Sequence, residues 1–180
     1  MDFIAKNLKK AGIVNLILLV ISLVLSVYRF IDLSPNILTV IRDIVYLLTV
    51  ISGFHYAFSG YRKDSAKYYK LFMLLFTVFT LMTVAADIVD MGSLQLLLLR
   101  IVMAVSAIAL TFVKDFGEKN SVFAAAVLLI AQFIAFFTKL SYYQGEFRHT
   151  ASAFMHLALT CLVSVFVVAK YNDKHRRKTR

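Results

Sequence analysis

Six apolar runs of about twenty residues follow one another with short breaks, and each keeps its polar and small residues on one helical stripe. The second run has the clearest stripe. Thr39, Arg42, Tyr46, Thr49, Gly53 and Tyr56 are spaced three, four, three, four and three apart, so at about 100° per residue they share one face of an α-helix. An arginine near the centre of a lone membrane helix costs about 3 kcal/mol on insertion scales. The face that carries Arg42 is therefore expected to turn from lipid toward the bundle interior, a cavity or the headgroups. Apolar flanks around such a stripe restrict the chain to an all-α bundle inside a bilayer, enclosing a polar interior.

Composition agrees: 61% of residues are hydrophobic and 17% charged, with one proline and a mean hydropathy of +0.79, well outside the range of soluble domains. The runs cover residues 12–31, 37–58, 69–89, 94–113, 121–141 and 151–170, each long enough to cross about 30 Å of hydrocarbon. The expected architecture is one transmembrane domain over residues 1–180, an integral membrane bundle of six transmembrane helices. The first run follows Lys6, Lys9 and Lys10 but has the length of a span, and no small-residue cleavage motif follows it, so it reads as a retained helix rather than a signal peptide. The single cysteine, Cys161, lies inside the sixth run, which excludes an intramolecular disulfide and CxxC chemistry.

Only Arg29, Arg42, Arg100, Lys139 and Arg148 fall toward one side of the membrane, leaving fifteen of the twenty Lys and Arg on the other. The positive-inside rule then places both termini in the cytoplasm of an inner, bacterial-type membrane. The acids divide evenly: Asp32, Asp43, Asp87, Asp90 and Glu146 lie outside, and Asp2, Asp64, Asp115, Glu118 and Asp173 inside. The formal charge of +10 thus belongs to the cytoplasmic face. A basic tail directly after a span, here Lys174 to Arg180, anchors topology and touches anionic lipid rather than nucleic acid. The runs of the two halves start 82 to 84 residues apart. With three spans per half, a 3+3 repeat would be inverted, as in several transporter folds, although no residue-level match accompanies it.

The other stripes follow the same rule. They are Asn15, Ser22, Ser26 and Arg29; Thr77, Thr80, Thr83 and Asp87; Arg100, Ala104, Ala107 and Thr111; Ala125, Gln132, Ala135 and Lys139; and Ser152, His156, Thr160 and Ser164. Small and hydroxylated residues are the ordinary packing surface of membrane helices. The charges call for more. With the termini inside, Arg29, Arg42, Asp43, Asp87, Arg100 and Lys139 all fall in the outer third of the membrane, with His156 at similar depth. Four cations there face two acids, beside the N-terminal ends of the second and fourth runs, a setting suited to an anionic group. The expected ligand-binding set is Arg42, Asp43, Tyr46, Asp87, Arg100, Gln132, Lys139 and His156, lining an outward-facing pocket for a small carboxylate- or phosphate-bearing solute. The plainer arrangement has Arg29 and Lys139 reaching the outer headgroups while Arg42 and Arg100 pair with Asp43 and Asp87 as fixed struts.

No enzyme motif stands out. The histidines share no ligand spacing with one another or with Cys161, and neither HExxH nor a glycine-rich phosphate loop occurs, so no metal or cofactor is expected. Ser106 in the fourth run and His156 in the sixth mimic the layout of rhomboid proteases. Ser106, however, sits in Ala104-Val105-Ser106-Ala107, without the glycines that let a nucleophile's backbone supply oxyanion donors. In its small size, six spans, short loops and outward polar layer, the chain resembles the S-components of energy-coupling-factor vitamin transporters. That family carries alanines at the docking spacing of its first helix, where this chain has Ser22 and Ser26. The resemblance implies a solute-binding or transport component; together with the cationic layer, the expected partners are lipid, a small anionic solute, and membrane partner subunits or further copies of the chain. Two other readings are a membrane enzyme acting on a lipid or polyprenyl substrate at the outer leaflet, with Asp87 or His156 as acid or base, and a scaffold whose stripes only pack.

Overall fold

The structure is a computed structural model that describes residues 37–58, 66–89, 93–113, 117–144 and 147–178, together with 17, 20, 21, 23, 24, 27 and 28 of the first run. Side chains are described throughout these residues except at 39, 57, 58, 147, 148 and 171–178. The Asn15, Ser22, Ser26 and Arg29 stripe, the loop acid Glu146 and the side chains of the basic tail lie outside the described residues. Five continuous helices emerge, and no strand occurs among the described residues: α1 (Ile37–Phe58), α2 (Ala66–Val89), α3 (Leu94–Phe112), α4 (Glu118–Tyr142) and α5 (Phe147–Lys178). Four of them, α2 to α5, are long and apolar enough to cross a membrane. The seven described residues of the first run are helical too.

Each helix packs against its neighbour in sequence, and the side chains that meet prove the packing antiparallel. Tyr56 near the end of α1 meets Tyr69 near the start of α2, with ring centroids 5.2 Å apart. Asp87 at the end of α2 meets Arg100 in the second turn of α3, and Lys139 at the end of α4 meets Ser152 near the start of α5. Local signals set the ends. Ser93 caps α3 by accepting the Leu96 N–H at 3.2 Å, removing one orphan donor of the first turn. Gly117 precedes α4 at φ 73°, a left-handed conformation that glycine adopts without steric cost.

The stripes are the buried faces. Arg42, Tyr46, Thr49, Gly53 and Tyr56 are buried on α1, as are Thr77, Thr80 and Thr83 on α2, Arg100, Ala104 and Ala107 on α3, and Ala125, Gln132, Ala135 and Lys139 on α4. The opposite faces expose large apolar side chains such as Ile44, Leu48 and Ile51 on α1 and Phe123, Ile130, Phe133 and Phe137 on α4. A surface of that kind suits hydrocarbon and not water.

Helix α5 departs from the one-stripe pattern. No residue from 149 to 169 is exposed, and 72% of its apolar span is buried, against 44% for α4. It forms the centre of the bundle. Phe166 takes the edge of Tyr56 from α1 and of Phe72 from α2, with centroids 4.9 and 5.0 Å away, and Phe154 takes Phe136 from α4 at 5.2 Å. Gly53 lets α1 approach this cluster. A Cβ there would stand 3.1 Å from Phe72 and 3.2 Å from Leu162. The bundle thus has an aromatic half, where α1 ends and α2 begins, and a polar half at the opposite end.

Candidate functional site

The polar half centres on Arg100. Its side chain is 1% exposed, and three helices hold it. Nε donates to Oδ2 of Asp87 at 3.3 Å, Nη1 donates to Oε1 of Gln132 at 2.8 Å, and the same nitrogen lies 3.6 Å from Sδ of Met103, one turn along α3. The contact with Asp87 uses one N–H and not the two-pronged fork that matches guanidinium to carboxylate most tightly. Among the described residues, Nη2 of Arg100 and Nε2 of Gln132 are buried without an acceptor. An unsatisfied buried donor costs about 1–3 kcal/mol, more on a charged group, so the arrangement leaves a strong local demand for an acceptor.

A small cavity adjoins the guanidinium. Helix α2 lines it with Phe76, Phe79, Thr80 and Thr83, α3 with Arg100 and Met103, and α5 with His156 and Thr160. Its volume is about 10 Å³, room for a single small occupant. The threonine protons are directed into the helices: Thr80 donates to the Phe76 carbonyl at 2.8 Å, Thr83 to the Phe79 carbonyl at 3.0 Å and Thr160 to the His156 carbonyl at 2.8 Å. Thr83 Oγ1 also stands 2.9 Å from Nε2 of His156. Across this contact Nε2 donates in one imidazole tautomer and accepts in the other. The ring edge packs on Phe79 with centroids 4.6 Å apart.

Of the eight residues expected to form a site, the structure brings Arg100 and His156 to the wall of this cavity, with Asp87 and Gln132 bonded to Arg100 behind it. Tyr46 is wholly buried and reaches it at second hand, its ring 5.7 Å from that of Phe79. Arg42 and Asp43 form their own pair, Nη2 to Oδ1 at 3.6 Å. Lys139 Nζ donates to Ser152 Oγ at 3.4 Å between α4 and α5. None of these three bonds to Arg100. The strut arrangement is present in its pairings, Arg42 with Asp43 and Arg100 with Asp87, but Lys139 is 6% exposed and does not reach outward as that arrangement requires. Met103, Phe76 and Phe79 were not expected at the site. Met103 follows Arg100 by three residues on the same helix face, yet a thioether in an apolar run carries no mark that separates a cavity wall from ordinary core.

Among the described residues, no group of three or more His, Cys, Asp and Glu side chains is placed to hold a metal ion. No protein-family model, curated protein or solved structure matches the chain.

Proposed function

We propose that the chain is a six-span integral protein of an inner, cytoplasmic membrane, with both termini cytoplasmic, and that its outward polar layer binds a small anionic solute as a binding or transport component. One observation carries the reading: among the described residues Arg100 Nη2 and Gln132 Nε2, joined through the Nη1 to Oε1 bond, are buried N–H donors with no acceptor, and Arg100 lines a cavity. The formal charge points the same way. Within the membrane-depth part of the described polar layer, Arg42, Arg100 and Lys139 stand against Asp43 and Asp87, one positive charge in excess where water is scarce. The basic excess of the opposite ends supports the orientation.

The cavity accepts one small group as it stands, so a larger carboxylate or phosphate requires α2, α3 and α5 to separate around Arg100. A transport component would do so between its occluded and open states. Two experiments test the reading. In the first, the full chain in detergent is heated with small carboxylates, phosphates and halides, with Arg100→Gln alongside. Stabilisation by a soluble anion that disappears in the variant supports the site by mass action; stabilisation by lipids alone favours the enzyme reading, and a response to nothing makes the polar layer a packing device. In the second, single cysteines introduced at positions 62 and 145 on a Cys161→Ala background are labelled in whole cells with a membrane-impermeant maleimide. Labelling at 145 and protection at 62 is the expected orientation.

A further inference from the structure

The cavity beside Arg100 limits by its size what it can hold. Resting on the anion-binding reading above, we infer that its occupant is a single monatomic anion of halide type, bound without its water shell between the Arg100 guanidinium and the threonine hydroxyls of α2 and α5. The first argument is size. With a volume of about 10 Å³, the space takes one small, roughly spherical group. A carboxylate or phosphate would have to displace the Phe76 and Phe79 rings and Met103, which form the apolar part of the wall, and Phe76, Phe79 and Met103 are each 1–2% exposed in a packed core.

The second argument is the balance of donors and acceptors. Nη2 of Arg100 carries two protons, and among the described residues neither has an acceptor. A water accepts these protons and must place its own two on the oxygens of the lining threonines. A halide accepts from all sides and brings no proton to place. The hydroxyls of Thr80 and Thr160 now donate to carbonyls one turn back at 2.8 Å. Rotation about χ1 or of the hydroxyl turns such a proton into the cavity, so the wall gains donors when an anion enters. The third argument is the environment. Arg100 is 1% exposed, and a guanidinium is weakly hydrated, so it exchanges a soft anion for nothing costly, while the rings and thioether around it hydrate no small hard ion. Chloride over fluoride follows, because the dehydration penalty falls with ion size, while bromide and iodide shed water more easily still but press on the same wall.

The test uses the full chain purified in detergent in sodium gluconate. Unfolding midpoints are measured against added fluoride, chloride, bromide, iodide, acetate and phosphate at constant ionic strength, for the wild type, Arg100→Gln and Thr80→Val, with bromide located by anomalous diffraction in wild-type crystals. The expected result is stabilisation by chloride, bromide and iodide that rises with the logarithm of concentration. Bromide affinity should weaken at least tenfold in Arg100→Gln and a few-fold in Thr80→Val, with a bromide peak within hydrogen-bonding distance of Arg100 Nη2. Equal or stronger stabilisation by acetate or phosphate, lost in Arg100→Gln, overturns the halide assignment and leaves the anion reading standing. No stabilisation by any anion overturns both. Should Arg100→Gln fail to fold, the bromide peak decides: a peak at Nη2 upholds the inference, and a peak elsewhere, an adventitious ion only, or no peak overturns it.

Discussion

Removing Asp87 tests whether Arg100 is held by one counter-charge. At 3.3 Å and an effective dielectric of 20, two unit charges attract by about 5 kcal/mol before desolvation is counted. Breaking a buried pair by deleting one partner costs about 3–5 kcal/mol, because the remaining charge is stranded. The side chain of Asp87 is 14% exposed while that of Arg100 is 1% exposed, so some water follows the truncation in, and the lower end, about 3 kcal/mol, is expected for Asp87→Ala. Arg100→Met strands the more accessible partner and should cost less, about 1–2 kcal/mol. The double variant Asp87→Ala/Arg100→Met carries no stranded charge and should unfold close to Arg100→Met alone, giving an interaction energy of about 2 kcal/mol or more in a double-mutant cycle. The assay is reversible unfolding of the full chain in mixed detergent and SDS micelles, followed by far-UV circular dichroism. Additive single costs, or an Asp87→Ala loss below about 1 kcal/mol, would refute the argument, for Arg100 would then be neutralised by some group other than Asp87.

Four further substitutions read other parts of the bundle by the same assay. Gly53→Ala places a methyl 3.1 Å from Phe72 and 3.2 Å from Leu162; with Phe72 already seated on Phe166, the neighbours can yield only a few tenths of an ångström, and a loss of about 1–2 kcal/mol is expected. Thr77→Val removes a hydroxyl shared by the Met73 carbonyl at 2.9 Å and Thr111 Oγ1 at 2.8 Å, linking α2 to α3. Hydrogen bonds between membrane helices are modest, so the expected cost is about 1 kcal/mol; a loss above about 3 kcal/mol would mean that the valine disturbs packing as well. Gly117→Ala meets no atom within 4 Å but must adopt φ 73°, so it should cost about 1 kcal/mol through the backbone alone. Gly117→Asn should recover part of that, because asparagine tolerates the left-handed region better.

The contrast between Arg42 and Arg100 separates what sequence spacing can resolve from what it cannot. Both arginines interrupt apolar runs on a small-residue stripe, and the cost of exposing either to lipid dictates that each be buried, as each is. Burial of a stripe follows from periodicity because it concerns one helix and its own geometry. The choice of partner concerns the rotation and depth of two helices against each other, and no residue spacing encodes that. Arg42 pairs with its chain neighbour Asp43, whereas Arg100 reaches back thirteen residues to Asp87 and thirty-two forward to Gln132, contacts that exist only because α2, α3 and α4 stand side by side. Helix α5 was obscure for a related reason. Its stripe of Ser152, His156, Thr160 and Ser164 resembles the others, but Ala153, Ala158, Leu159 and Val163 on other faces are buried as well. Leu and Val pack against protein and lipid alike, so hydropathy cannot tell a central helix from a peripheral one. The small residues Ala151, Ala153 and Ala158, all at 0–1% exposure, were the available signal, since small side chains off the polar stripe mark a helix that several neighbours approach closely.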